Sequence, residues 1–192
     1  MDYFSYRSIS KPAKGSLLIS EPFLPDPNFE RTVVLLCENN DEGAFGFVLN
    51  KMSVLTFNDV IEEAPGFDKP LFVGGPVQQD TLHFLHRMGD TLEGSVHIIN
   101  DLYWGGNFEQ LMSMINTGEI QAGDFKFFIG YSGWSAGQLE GELKENSWIV
   151  SENATGNQIF DEHPENMWKD VLQSMGGRYK VIANYPIDPR LN

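Results

Sequence analysis

The chain has 192 residues, 41% of them apolar, with 14 Phe, 4 Trp and 6 Tyr against 21% charged side chains. That is enough for one hydrophobic core withdrawing roughly 70% of the unfolded surface from water, with no disulfide or metal staple. Its 27 acidic and 13 basic side chains leave a net charge of −14, a potential that disfavours nucleic acid, whose backbone is bound by Lys and Arg displacing counterions.

The amino terminus, Met1 to Arg7, lacks a basic region followed by an apolar core, and no span approaches bilayer length. A cytoplasmic protein with no membrane partner is expected. Gly15 to Ser20 and Arg31 to Glu38 read as apolar strands separated by a proline-rich loop, Glu21 to Asn28. Cys37, the only cysteine, ends the second run. It forms no internal disulfide, and with no cationic neighbour in sequence it reads as a core thiol. Asn39 to Gly43 is a hairpin turn leading into a third strand, Ala44 to Asn50. Thr56 with Asp59 opens a helix carrying Phe57, Val60, Ile61 and Ala64 on one face, stopped by Pro65-Gly66.

Leu71 to Pro76, Thr81 to Arg87 and Gly94 to Ile99 follow as short strands. Strands in succession without intervening helices argue for antiparallel pairing. Asn107 caps a second helix with Phe108, Leu111, Met112 and Ile115 at helical spacing and Gln110 completing a cap-like pair. Phe125 to Tyr131 is a strand, Gln138 to Glu145 a helix, Trp148 to Val150 a strand and Ser151 to Asn157 a polar loop; Asn153-Ala-Thr matches a glycosylation acceptor only formally. A last helix starts near Pro164, buries Met167, Trp168, Val171, Leu172 and Met175, and stops at Gly176-Gly177. The tail from Arg178 reads equally as strand or helix before Pro186. The sum is one α+β domain over residues 1–192, with a mixed, coiled, mostly antiparallel β-core and three or four flanking helices.

Gly133-Trp-Ser-Ala-Gly137 has the Gly-x-Ser-x-Gly spacing of a nucleophile elbow between strand and helix. A hydrolase using Ser135 also needs a base and an orienting acid, and downstream only His163 is available, with Asp161 two residues before it in a poor geometry. The competing explanation is architectural: Ser135 caps the next helix and Gln138 reaches back to it. His83 and His86 stand at an odd separation that sends them to opposite faces of a strand, which speaks against a metal site even if His97 joins across a sheet. Glu140 and Glu142 lie on different helix faces and form no acid and base pair by spacing. A softer reading is anion binding by the amides of Ser132 to Gly137 at a helix start. Gly74-Gly75-Pro76 and Trp104-Gly105-Gly106 are further glycine corners; gathered on one edge, the corners would line a pocket walled by Trp104, Tyr131 and Trp134. The same glycines also serve close packing alone.

Gly15 to Pro22, Asp26 to Cys37, Gly43 to Lys51, Val73 to Val77 and Gly130 to Glu140, with Trp148 and the helix around Trp168, together resemble the bacterial AlgH family, which includes the YqgE-like proteins. The resemblance implies an α+β fold with a flattened, barrel-like β-core, and it brings no assigned activity, cofactor or catalytic residue. Its regulatory description implies a transcriptional regulator, which the net charge and the lack of a helix-turn-helix signature make a poor direct DNA binder. The residues together point to a non-enzymatic binding or regulatory module for a protein or small-molecule partner. Its candidate surface is Gly75, Trp104, Tyr131, Ser132, Gly133, Trp134, Gly137 and Gln138, with no catalytic residue, metal or cofactor.

Overall fold

Apolar runs without alternation mark the first two strands, and two-sided packing explains them. In the computed structural model, which describes residues 12–64, 66–152 and 154–187, β1 (Leu17–Ser20) and β2 (Val33–Asn40) pair antiparallel with Leu18 opposite Val34. Leu17, Ile19, Val33 and Leu35 face one core with Trp168, Val171 and Leu172, while Leu18, Val34 and Leu36 face a second with Leu139 and Trp148. A strand covered on both sides has no polar face to alternate with. Cys37 belongs to the first core, and burial pushes its thiol pKa far up.

The remaining strands are β3 (Gly43–Val48), β4 (Met52–Thr56), β5 (Pro70–Val73), β6 (Val77–His86), β7 (Val96–Ile99), β8 (Leu102–Trp104), β9 (Phe125–Ser135) and β10 (Trp148–Ser151). They make a ten-stranded sheet with the order β10-β1-β2-β3-β9-β6-β8-β7, and β5 joins β4 to β9 off this path. All pairs are antiparallel except β5 with β9. The fold is thus α+β, but the sheet ends at β10 and β7 and does not close into a barrel.

Helices α1 (Phe57–Val60), α2 (Phe108–Thr117), α3 (Gln138–Lys144), α4 (Gly156–Ile159), α5 (Met167–Met175) and α6 (Gly177–Ile182) lie around it. α1 and α4 are single turns, which leaves four longer helices among the described residues. The Thr56–Asp59 capping box forms as read, yet the helix lasts one turn because Ile61 turns extended. Asn107 caps α2 through the amide of Gln110, but the Gln110 side chain bonds Thr91 and Glu93 across the loop instead of returning to the cap. The tail resolves into α6. The helix stop at Pro65, the acceptor Asn153 and the last five residues of the tail fall outside the described residues. Sequence periodicity also passes over β4 and β8. β4 leaves Val54 99% exposed and so carries no inward signal, and β8 is only three residues long.

The feature that organises the sheet is a fork in β9. Its first arm, Phe127 to Ile129, runs parallel to Leu71–Val73 of β5, whereas its second, Ser132 to Ser135, pairs with Gly46–Gly43 of β3. β5 therefore enters between β3 and β9, donating Val73 N–H to Lys51 O and taking Val48 N–H on Gly74 O. Gly74 N–H closes the other side on Ile129 O. Backbone meets backbone at the apex. A Cβ on Gly75, which has φ +156°, would lie 2.3 Å from Tyr131 carbonyl atoms, and one on Gly130, φ +68°, would lie 2.8 Å from Gly75 O. Only glycine satisfies both the angle and the space.

Lys126, on the first arm of β9, is 3% exposed, donates to Asp161 O at 2.7 Å and lies 3.9 Å from the Phe72 ring centroid. Burial lowers its pKa to about 7, opposed by the charges of Asp161 and Glu162. Below about pH 7 the lysine is charged in both states and folding bears the full burial cost. Between there and its ordinary 10.5 the unfolded chain holds a proton the folded one lacks, so stability rises with pH. Lys126→Met should flatten that rise in urea titrations from pH 7 to 10.5; an unchanged slope would contradict the assignment. At the apex, Gly75→Ala should cost about 3 kcal/mol or more, while Gly141→Ala, in α3 with open space around it, should gain about 0.5–1 kcal/mol by the same titration.

Candidate functional site

The glycine-rich corner after Tyr131 is strand for longer than its composition suggests. Ser132 to Ser135 continue β9 in register with β3, so they form a ladder, not a row of amides turned toward an anion. Ser132 is fully buried and donates Oγ–H to Gly74 O at 3.0 Å, closing the fork. Gly75 sits beneath Tyr131 at the apex. Both candidates are thus built into the fold.

Ser135 is exposed, and its Oγ lies 3.3 Å from Gln138 Oε1, which also accepts the Ser135 amide at 3.0 Å. The return contact from Gln138 forms as read, but the cap itself is Gly137, left-handed at φ +78°. A hydroxyl donating to an amide oxygen is not activated as a nucleophile, which needs a base to take its proton. The hydrogen-bonded histidine rings are engaged elsewhere: His83 with Thr81, His86 with Gly105 O and Ser95, and His97 with Asn100 O. His86 accepts Met88 N–H at Nδ1, so its Nε2 carries the proton. Burial lowers the pKa of both His83 and His86. The odd spacing does separate the two: His83 packs on Phe47 and Tyr131, His86 on Tyr103 and Phe125. Among the described residues no three His, Cys, Asp or Glu side chains gather as a metal site.

The candidate aromatic residues divide between two faces. Strand alternation sends Tyr131 to the first core and Trp134 to the opposite one. On the far face Glu142 Oε2 accepts both indole N–H groups, Trp134 and Trp148, at 2.8 Å each, while its Oε1 accepts Gln138 Nε2 at 3.0 Å. Phe29 packs edge-on against Trp148 at 5.4 Å. This carboxylate ties α3 to the sheet. The pair Glu140 and Glu142, on different helix faces, gives no hint of it; the signal in the sequence is that Gln138 and Glu142 stand one helical turn apart. A cavity of about 300 Å³ lies alongside, with Gly133, Trp134 and Gln138 in its wall.

On the near face Trp104 and Tyr131 do come together. With Phe45, Phe47 and His83 they wall an open cleft of about 360 Å³. Phe45 holds the assembly: its ring is 4.8 Å from Trp104 and 6.3 Å from Tyr131, edge-to-face with both. Phe47 stacks on Phe128 at 4.7 Å beneath. The Trp104 Nε1 is buried with no hydrogen-bond partner among the described residues, a state that costs about 1–3 kcal/mol. Beyond His83 and Trp104 the cleft continues into a second groove of about 470 Å³ that includes Leu82, Val96, Gly106 and Phe108. Phe45 and Phe47 carry no signal in the sequence, and His83 only that of a metal-ligand candidate, because the three come from strands that only the fork brings together.

Residues 17–180 match the AlgH-like family. A UPF0301 protein from Cytophaga hutchinsonii is 56% identical over 180 residues, covering 93% of this chain and 98% of that protein. Another, from Chlorobaculum tepidum, is 48% identical over 184 residues, covering 96% and 97%. The solution structure of the AlgH protein from Pseudomonas aeruginosa superposes with a TM-score of 0.74 at 29% identity, covering 92% of this chain and 97% of that one. A crystal structure of a Corynebacterium diphtheriae protein shares the fold, with a TM-score of 0.77 at 21% identity, covering 92% and 94%. Among the described residues no helix is long and apolar enough to cross a membrane.

Glu142→Ala leaves two buried indole N–H groups without their acceptor and should lower stability by about 3 kcal/mol, whereas Ser135→Ala should change it by less than about 0.5 kcal/mol. Thermal unfolding of the two variants checks the ranking.

Proposed function

The chain belongs to the AlgH-like family, and from that premise we propose that it is a binding module, not an enzyme, whose site is the cleft of Phe45, Phe47, His83, Trp104 and Tyr131. One observation carries the reading: five rings face a space of about 360 Å³ that no side chain of the described protein fills. Protein interiors close such gaps, because rings with no atoms against one face forfeit dispersion contacts. Tyr131 and Trp104 are only partly buried, so the rings are open to a ligand. Apolar walls with few polar groups suit a planar or branched apolar group, held by stacking and desolvation. His83 adds one polar atom, neutral near pH 7 because burial lowers its pKa.

A pocket of this make-up does no acid–base work by itself. Among the described residues its polar groups are the His83 imidazole, bonded to Thr81 at 2.9 Å, the unpartnered Trp104 indole N–H and the Tyr131 hydroxyl, and no Ser, Thr, Cys or carboxylate stands in the wall. The chain's acidity favours neutral or cationic ligands over anionic ones.

The neutral fluorophore N-phenyl-1-naphthylamine serves as the probe. It should bind saturably in the micromolar range, and Trp104→Ala and Tyr131→Ala should each weaken binding about tenfold or more, with Ser135→Ala unchanged and all folds verified by circular dichroism. Equal binding by wild type and both cleft variants, or no saturable binding, sinks the reading.

A further inference from the structure

The second groove occupies the place where a strand is missing. β8 pairs with β6 through Tyr103 opposite His86 and Trp104 opposite Leu85, and the ladder's last bond is Gly105 N–H to Phe84 O at 3.0 Å. If β8 ran on, Asn107 would face Leu82. Instead the chain leaves through Gly105, φ +68°, and Gly106, φ +126°, and Asn107 N–H turns to Glu93 O at 2.7 Å. Strand alternation aims the amide and carbonyl of Leu82 to the same side as Phe84 O, away from β9 and toward the vacated lane. The groove of about 470 Å³ lies along that lane, with Leu82, His83 and Phe84 on one bank and Val96, Trp104 and Phe108 on the other. Val96 is 47% and Phe108 38% exposed, although both are large and apolar.

We propose that this lane receives an extended polypeptide segment of a partner protein, added as a strand beside Leu82 of β6, with an apolar side chain seated against Val96 and Phe108. Two kinds of complementarity choose this occupant. Open strand edges offer backbone hydrogen bonds in register, and an adjoining apolar pocket reads one side chain. The charge of the rim sets the flanking residues: Ile61, Leu82, Gly94 and Phe108 in the wall have the exposed acids Glu62, Asp80, Glu93 and Glu109 within two positions, and among the described residues no Lys or Arg lines the groove. A segment whose apolar residue lies between Lys or Arg residues meets that rim with opposite charge. A second copy of this chain brings the same acids and a net charge of −14, so like charges oppose self-association there. The proposal shares His83 and Trp104 with the aromatic cleft but does not require that cleft to hold a ligand.

The test uses the full chain, labelled with nitrogen-15, and a synthetic peptide Lys-Arg-Val-Leu-Val-Arg-Lys. Titration should shift the Leu82 amide and slow its exchange with solvent. Phe108→Ala should weaken binding about tenfold, and N-methylation of the peptide at the residue facing Leu82 should weaken it at least as much. That second change leaves the protein's fold untouched. A peptide with Glu in place of its basic residues should not bind. Binding should survive Tyr131→Ala, which separates this lane from the aromatic cleft. The proposal fails if the peptide does not bind by about 1 mM, if binding leaves Leu82 unmoved, or if N-methylation has no effect. It fails equally if sedimentation shows a dimer that itself protects Leu82, because the lane then belongs to a second copy.

Discussion

Everything in this fold hangs on one place where backbone presses against backbone, Gly74-Gly75 against Gly130 to Ser132. A strand ordinarily keeps one neighbour on each side; β9 changes its neighbour on one side from β5 to β3 within two residues. That exchange requires the end of β5 to come closer to β9 than any Cβ allows. The hydrogen bonds converge on a single carbonyl, Gly74 O, which takes both Val48 N–H and Ser132 Oγ–H. Burial of the apex removes water as an alternative partner, so these bonds must be met internally.

The fork also explains why an aromatic cleft exists beside it. Phe47 and Phe128 stack where the two arms diverge, and Tyr131 follows the bend at Gly130 directly. With the arms spread, the rings of Phe45, Tyr131 and Trp104 meet edge-to-face and leave a space open. The vacated lane beside β6 has a similar origin, since two left-handed glycines carry the chain away from a ladder it had begun. In both places glycine serves packing or chain reversal first, and the open surface follows from it.

Much of this was legible in the residues. Val33 to Cys37 announced a buried apolar strand, Asn107 opens α2 by its capping chemistry, and Pro164 with Gly176 bracket the last long helix. Composition and order also yielded the α+β class. What local pattern cannot carry is partner choice at long range. The corner at Ser132 to Ser135 looked like a helix entrance because its glycines and serines are turn formers, yet pairing with β3 holds it extended. Trp104 and Tyr131 line one cleft, but Trp134, three residues on from Tyr131, faces the other core, since a strand reverses sides at every odd step. Phe45 and Phe47 carry no mark of a site in sequence, and His83 stands out there only beside His86 as a metal-ligand candidate. They are ordinary strand residues until the fork gathers them.

The account makes the two arms of β9 one mechanical unit, and native-state hydrogen exchange measures that most directly. If the apex couples them, the amides of Phe128 and Trp134 open with one common free energy equal to that of global unfolding. A second arm that opens by itself, well below the global value while the first stays protected, would contradict the fork as the constraint on which the sheet and both grooves depend.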